Sequence, residues 1–100
     1  MNSLTVETVR PRGQQAKITE EALIVDLVDG RTITVPLAWY PRLMYATPAE
    51  RQNWQLLGDG YAIEFMDLDE HIGVEGLLAG RQSGESQKSL QKWLNQRKGK

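Results

Sequence analysis

The stretch LIVDLVDGRTITVPL, Leu23–Leu37, decides the fold. Two runs rich in β-branched residues, Leu23–Val28 and Arg31–Leu37, flank Asp29-Gly30, a strong hairpin signal. Register discriminates between two ways of joining them. A two-residue turn at Asp29-Gly30 pairs Asp26 with Ile33 and mixes polar and apolar side chains on both faces. A three-residue loop, Val28-Asp29-Gly30, pairs Val25 with Ile33 and Leu23 with Val35. That leaves one apolar face, with Asp26, Thr32 and Thr34 on the other. Because side chains alternate along a strand, a one-residue slip moves every apolar group to the wrong face, so the three-residue loop is predicted. It needs a left-handed residue at its third position, and Gly30 stands there. Pro36 cannot donate to a ladder, which places it at a strand end or on an exposed edge.

C-terminal to the hairpin, Ala38–Leu43 reads as a corner entering a short helix, with Pro41 at its first position, where a missing N–H costs nothing. Thr47 is a candidate N-cap with Pro48 next and Glu50 completing a capping box, so a second helix is predicted from Pro48 to about Gln55, burying Trp54 and Leu57. Gly58-Asp59-Gly60 is a turn, and Tyr61–Phe65 alternates as a half-buried strand. Asp67–His71 reads as a loop. Val74–Ala79 offers one or two helical turns stopped by Gly80. In the other direction, Ala16–Thr19 makes a short strand after the loop at Pro11-Arg12-Gly13, and residues 1–10, with Leu4, Val6 and Val9, form an edge strand. The fold class expected is α+β: a small antiparallel sheet around the Leu23–Leu37 hairpin, joined by Tyr61–Phe65 and the N-terminal strands, with short helices on one face.

One hundred residues make one domain at most, with 40% hydrophobic and 25% charged residues, ordinary for a globular chain. The division expected is a single domain over residues 1–81 and a basic polar tail over 82–100. The net charge of −1 hides a split, +5 over residues 81–100 against −6 over the rest. Within the tail, Leu90, Trp93 and Leu94 recur at helical spacing, a narrow stripe on a short amphipathic helix. The absence of cysteine excludes disulfides and thiolate chemistry. No apolar run approaches a membrane span and no signal peptide is readable, so a cytoplasmic protein with no membrane association is expected.

Catalytic chemistry finds little purchase. Asp67, Asp69, Glu70 and His71 are the one acidic cluster with an imidazole, but the spacing fits no calcium loop and His71 is the sole histidine, so no metal site is expected. There is no nucleophile elbow, and Gly58-Asp59-Gly60 lacks the rest of a dinucleotide fingerprint. The expectation is no enzyme, no catalytic residue and no cofactor. Two binding sets remain. Trp39, Tyr40, Arg42, Tyr45 and Arg51 are the residue types enriched at interface centres and form the candidate partner-binding set around an exposed-looking corner. For Trp39 and Trp54 the favoured reading is that they fill the small core under the sheet. The alternative set, Lys88, Lys92, Trp93, Arg97 and Lys98, combines phosphate-binding charges with a stacking ring, although a domain of pI near 5.8 is not the usual nucleic-acid footprint.

The chain resembles a bacterial family, domain of unknown function 2442, through L-I-V-D-L-V-D-G-R-T-I-T-V-P-L at Leu23–Leu37, W-Y-P-R-L at Trp39–Leu43 and A-T-P-A-E-R at Ala46–Arg51. The likeness continues through G-D-G-Y-A-I at Gly58–Ile63, D-L-D-E at Asp67–Glu70 and G-L-L-A-G at Gly76–Gly80. It spans roughly residues 16–81. Phe65 stands where members often carry Trp, and His71 where another acid is frequent. The resemblance implies a compact α+β domain without assigned catalytic residues. Some members are joined to DNA-binding helix-turn-helix domains and some are encoded beside small toxin-like proteins. The expected function is therefore a small non-enzymatic protein-interaction module, antitoxin-like or adaptor in role, with an unidentified protein partner. A nucleic-acid-associated regulator using the basic tail is the alternative, and homo-oligomerisation stays open.

Overall fold

The computed structural model describes residues 10–98. The edge strand expected in residues 1–10 lies outside them, apart from Arg10. Three strands, β1 (Gly13–Ile18), β2 (Ala22–Leu27) and β3 (Thr32–Pro36), form one antiparallel sheet in that order. The β2–β3 register is Leu23 with Val35, Val25 with Ile33 and Asp26 with Thr32, which is the register of the three-residue loop. The loop closes through the Leu27 N–H to the Arg31 carbonyl (2.7 Å) and the Gly30 N–H to the Leu27 carbonyl (3.0 Å), with Gly30 at φ +98°. Leu23, Val25, Leu27 and Val35 are buried on one face. On the other, Thr32 Oγ1 donates to Asp26 (2.8 Å). Pro36 ends β3, the sheet edge. A bulge between Gly13 and Gln15 lets Gly13 and Ala16, three residues apart, both turn inward.

The second half departs from expectation. The capping box is present, with the Glu50 N–H to Thr47 Oγ1 at 3.1 Å and the Thr47 N–H to Glu50 Oε1 at 2.9 Å. The first two helices, α1 (Pro41–Met44) and α2 (Pro48–Gln52), are single turns, so α2 ends before Trp54. Trp54–Leu57 is instead β4, Ala62–Phe65 is β5 and Glu70–Gly73, expected as loop, is β6; they make a second antiparallel sheet ordered β4-β5-β6. Tyr61–Phe65 therefore does not extend the hairpin sheet. Cross-strand partners decide this: Trp54 lies opposite Phe65, and Ile63 lies between Leu56 and Ile72. The tight β5–β6 turn uses Asp69 in the left-handed region, φ 51°, a conformation aspartate tolerates.

The inner faces of both sheets share one core with Leu37, Leu43, Leu68, Val74 and Leu77. The sheets meet where the Gly13 N–H donates to the Gly60 carbonyl at 2.6 Å. Gly60 has φ +103°, and a β-carbon there would strike the Gly13 carbonyl oxygen, so glycine is required on both counts. Helix α3 (Val74–Leu78) stops at Gly80, φ +77°, with Gly80 and Arg81 N–H groups returning to Leu77 and Gly76 carbonyls. The tail ends in α4, Gln87–Lys98. Among the described residues no helix is long and apolar enough to cross a membrane.

Candidate functional site

The aromatic corner is built by its prolines. After Pro36 the chain makes a turn of 3-10 helix at Leu37–Trp39, and Pro41 then starts α1. This drives Leu43 fully into the core and Tyr40 to 5% exposure, so the corner is buried rather than exposed as the sequence suggested. The Tyr40 hydroxyl donates to the Arg81 carbonyl (3.0 Å); burial, and then the charge of Glu70, push the phenol pKa above its usual value. Trp39 is half-buried against the core and accepts the Ser83 N–H at its carbonyl (3.0 Å). Arg51 donates from Nε to the Leu43 carbonyl and from Nη2 to the Met44 carbonyl, both 2.9 Å, satisfying the end of α1. Trp54 also packs on the core. Of the five candidate partner residues only Tyr45, 54% exposed, presents its side chain broadly to solvent.

Arg42 reaches the tail. Its Nε lies 3.0 and 3.1 Å from the Glu85 carboxylate oxygens, Nη2 donates to the same group at 2.7 Å, and Nη1 donates to the Leu68 carbonyl at 2.8 Å. The paired side chains are 17% and 11% exposed, and hydrogen bonding to Arg42 holds Glu85 below its ordinary pKa. Twelve residues on, Arg97 makes a second forked pair with Glu50 at 2.9 and 2.8 Å. That pair draws Glu50 down to about 2, burial opposing. Between the two pairs the Trp93 ring lies 5.1 Å from the Arg42 guanidinium and 4.6 Å from that of Arg97. Leu90 is buried. Arg42 from the first set and Trp93 and Arg97 from the second thus meet in one internal latch, while Lys88, Lys92 and Lys98 stay on the exposed side of α4.

The acidic turn disperses. Asp67 accepts from Asn53 Nδ2 (3.0 Å), and His71 lies 3.8 Å from Glu64 across the β5–β6 ladder. Glu70 is half-buried in a shallow cleft of about 240 Å³ beside Tyr40, Arg81 and Ser83. Burial raises its pKa to about 7, with Arg42 pulling the other way and Glu85 and Asp69 adding to the rise. Among the described residues no three ligating side chains gather closely enough to hold a metal ion.

A further surface escaped the sequence reading. Pro11, Val28 and Leu78 line an open cleft of about 430 Å³ with Arg10, Arg12 and Arg31. Val28 is 45% and Leu78 40% exposed, and the Arg10 guanidinium sits 5.3 Å over the ring of Tyr61, itself 40% exposed. Asp29 is committed to Arg31 at 2.8 Å, and that hydrogen bond lowers its pKa. The sequence shows only a loop at Pro11-Arg12-Gly13; the neighbours Val28 and Leu78 come from the hairpin loop and α3, which only folding brings to it.

These features define a small α+β domain of two three-stranded antiparallel meanders with a docked C-terminal helix. Residues 14–83 match the model of the family described as "Protein of unknown function (DUF2442)", and the chain belongs to that family. The crystal structure of a protein of unknown function from Rhodospirillum rubrum aligns with TM-score 0.65 and 28% identity over 75% of this chain and 93% of that one. The solution structure of an uncharacterised protein from Chromobacterium violaceum aligns with TM-score 0.63 and 20% identity over 81% of this chain and 74% of that one, a likeness of fold. No curated protein matches.

Proposed function

We propose that the chain is a non-enzymatic protein-interaction module of the cytoplasm, adaptor or antitoxin-like in role, whose partner presents acidic and apolar groups together. The observation that carries this reading is the Val28–Leu78 cleft. Two exposed aliphatic anchors stand among Arg10, Arg12 and the Arg31–Asp29 pair, with Tyr61 under Arg10. Clustered exposed apolar side chains mark binding surfaces more than single ones do, and Arg and Tyr are the types that dominate interface energetics. The companion role follows from the family resemblance, whose members include chains encoded beside toxin-like proteins. Affinity capture of the tagged full chain from its own host, with nuclease present, tests it. The expected result is a stoichiometric companion protein, lost on Leu78→Asp and on Arg12→Glu. Recovery of the chain alone, or a companion indifferent to both substitutions, would overturn the reading.

One observation favours the nucleic-acid alternative: Lys88, Lys92 and Lys98 are all exposed on α4. Its stacking ring, Trp93, is committed between two guanidinium groups. Binding to nucleic acid that falls steeply with salt and is lost on Lys88→Glu/Lys92→Glu would support that alternative instead.

A further inference from the structure

The two body residues that form ion pairs with the tail, Arg42 and Glu50, lie within the family match, which ends at residue 83. Their ion-pair partners Glu85 and Arg97, and the Trp93 ring near the Arg42 and Arg97 guanidinium groups, lie beyond it. In this chain the segment within the family match therefore supplies the two charged grips, and the segment beyond it supplies what they hold. The chemistry of the two grips is directional. A guanidinium takes a carboxylate just ahead of the first turn of α4, and a carboxylate takes a guanidinium in its last turn. An acid at the start and a base at the end of a helix are also the charges its own dipole favours, so the site selects helix polarity as well as charge. The ring between them is held by cations on both sides. A twelve-residue helix is marginal in water by itself, so α4 owes its order to this docking, and losing the contacts unravels it.

We infer that the Arg42–Glu50 face is a recognition site for a partner's amphipathic helix bearing an acid ahead of its first turn, an aromatic residue eight positions later and an arginine four beyond that. The chain's own Glu85–Arg97 segment, which has this spacing, occupies the site as an autoinhibitory strap. The inference rests on the reading of the chain as an interaction module but uses a different face from the Val28–Leu78 cleft. An incoming helix competes with a tethered one. Because tethering gives the tail a high effective concentration, the site in the unaltered chain is largely masked.

The test uses the full chain with its strap weakened, Glu85→Ala/Trp93→Ala, and a fluorescent peptide of residues 84–98 of unaltered sequence as probe. The peptide is expected to bind one-to-one, at least about ten-fold more tightly than to the unaltered chain, where the tail competes. Adding Arg42→Ala to the weakened chain should abolish the gain. Equal binding to weakened and unaltered chains, or binding that survives Arg42→Ala, would overturn the inference. Should the double variant fold poorly, the unaltered chain serves. Excess peptide should speed hydrogen exchange of the amides in 87–98 while leaving β2 and β5 unchanged, and no acceleration at saturating peptide counts against the site. Neither arm touches Leu78 or Arg12, so failure here and failure of the companion capture are separate results.

Discussion

Between the two sheets, Gly13 and Gly60 meet backbone to backbone with no room for an added carbon on Gly60, whereas between body and tail the hydrogen bonds beyond Ser83, among the described residues, run through side chains. The first junction is made by two glycines without a titratable side chain, and its Gly60 position admits no side chain. The second is a chain of charges and a ring, each of which can be weakened without disturbing the sheets. A contact made of forked ion pairs at the two ends of a marginal helix can open and close, so the tail, rather than the sheet junction, is the releasable part of the fold.

The largest expected effect breaks the first junction. Gly60→Ala places a β-carbon against the Gly13 carbonyl at a φ that alanine resists, and should cost about 3 kcal/mol or more in urea unfolding. Gly30→Ala sharpens the point: its φ is also positive, +98°, but nothing lies within 4 Å, so strain alone remains, about 1–2 kcal/mol.

Arg42→Ala comes next. It strands the Glu85 carboxylate, frees the Leu68 carbonyl and removes one face from Trp93, a loss of about 2 kcal/mol seen as early melting of α4 in the tryptophan emission. Arg42→Lys should restore only part, since an ammonium cannot fork. Acid opens the other end. Pairing depresses the folded pKa of Glu50 to about 2 from the ordinary 4.5, so its contribution is full above pH 4.5 and is lost as pH falls towards 2. A loosening of α4 in that window, absent in Glu50→Gln, is the expected outcome. Glu70 runs the opposite way. Its folded pKa is raised to about 7, so a destabilising cost grows as pH rises from 4.5 to 7. Glu70→Gln should gain about 1 kcal/mol at pH 8, the open cleft screening the charge, and almost nothing at pH 4.5.

What the sequence disclosed follows the same division between local and distant causes. The hairpin register, the Gly30 loop, the Thr47–Glu50 capping box, Pro41 at N1 and the stop at Gly80 are each written within a few residues, and each stands in the structure as read. Trp54–Leu57 was misread because three apolar residues around Gln55 fit a helix end or a strand; Phe65 and Ile63 opposite them settle it. Glu70–Gly73 buries only Ile72, so there is no alternation to count. The tail's net positive charge drew attention to its lysines, while its lone acid, Glu85, is the anchor. Arg42 and Glu85 are far apart in the chain, and no local pattern announces that they meet.

Hydrogen exchange across the full chain, unaltered and with Arg42→Ala, tests the central claim most directly. The amides of 87–98 should be protected in the unaltered chain and lose that protection together in the variant, while β2 and β5 keep theirs. Equal protection of α4 in both chains, or loss that spreads to β2 and β5, would contradict a releasable strap on a fixed body.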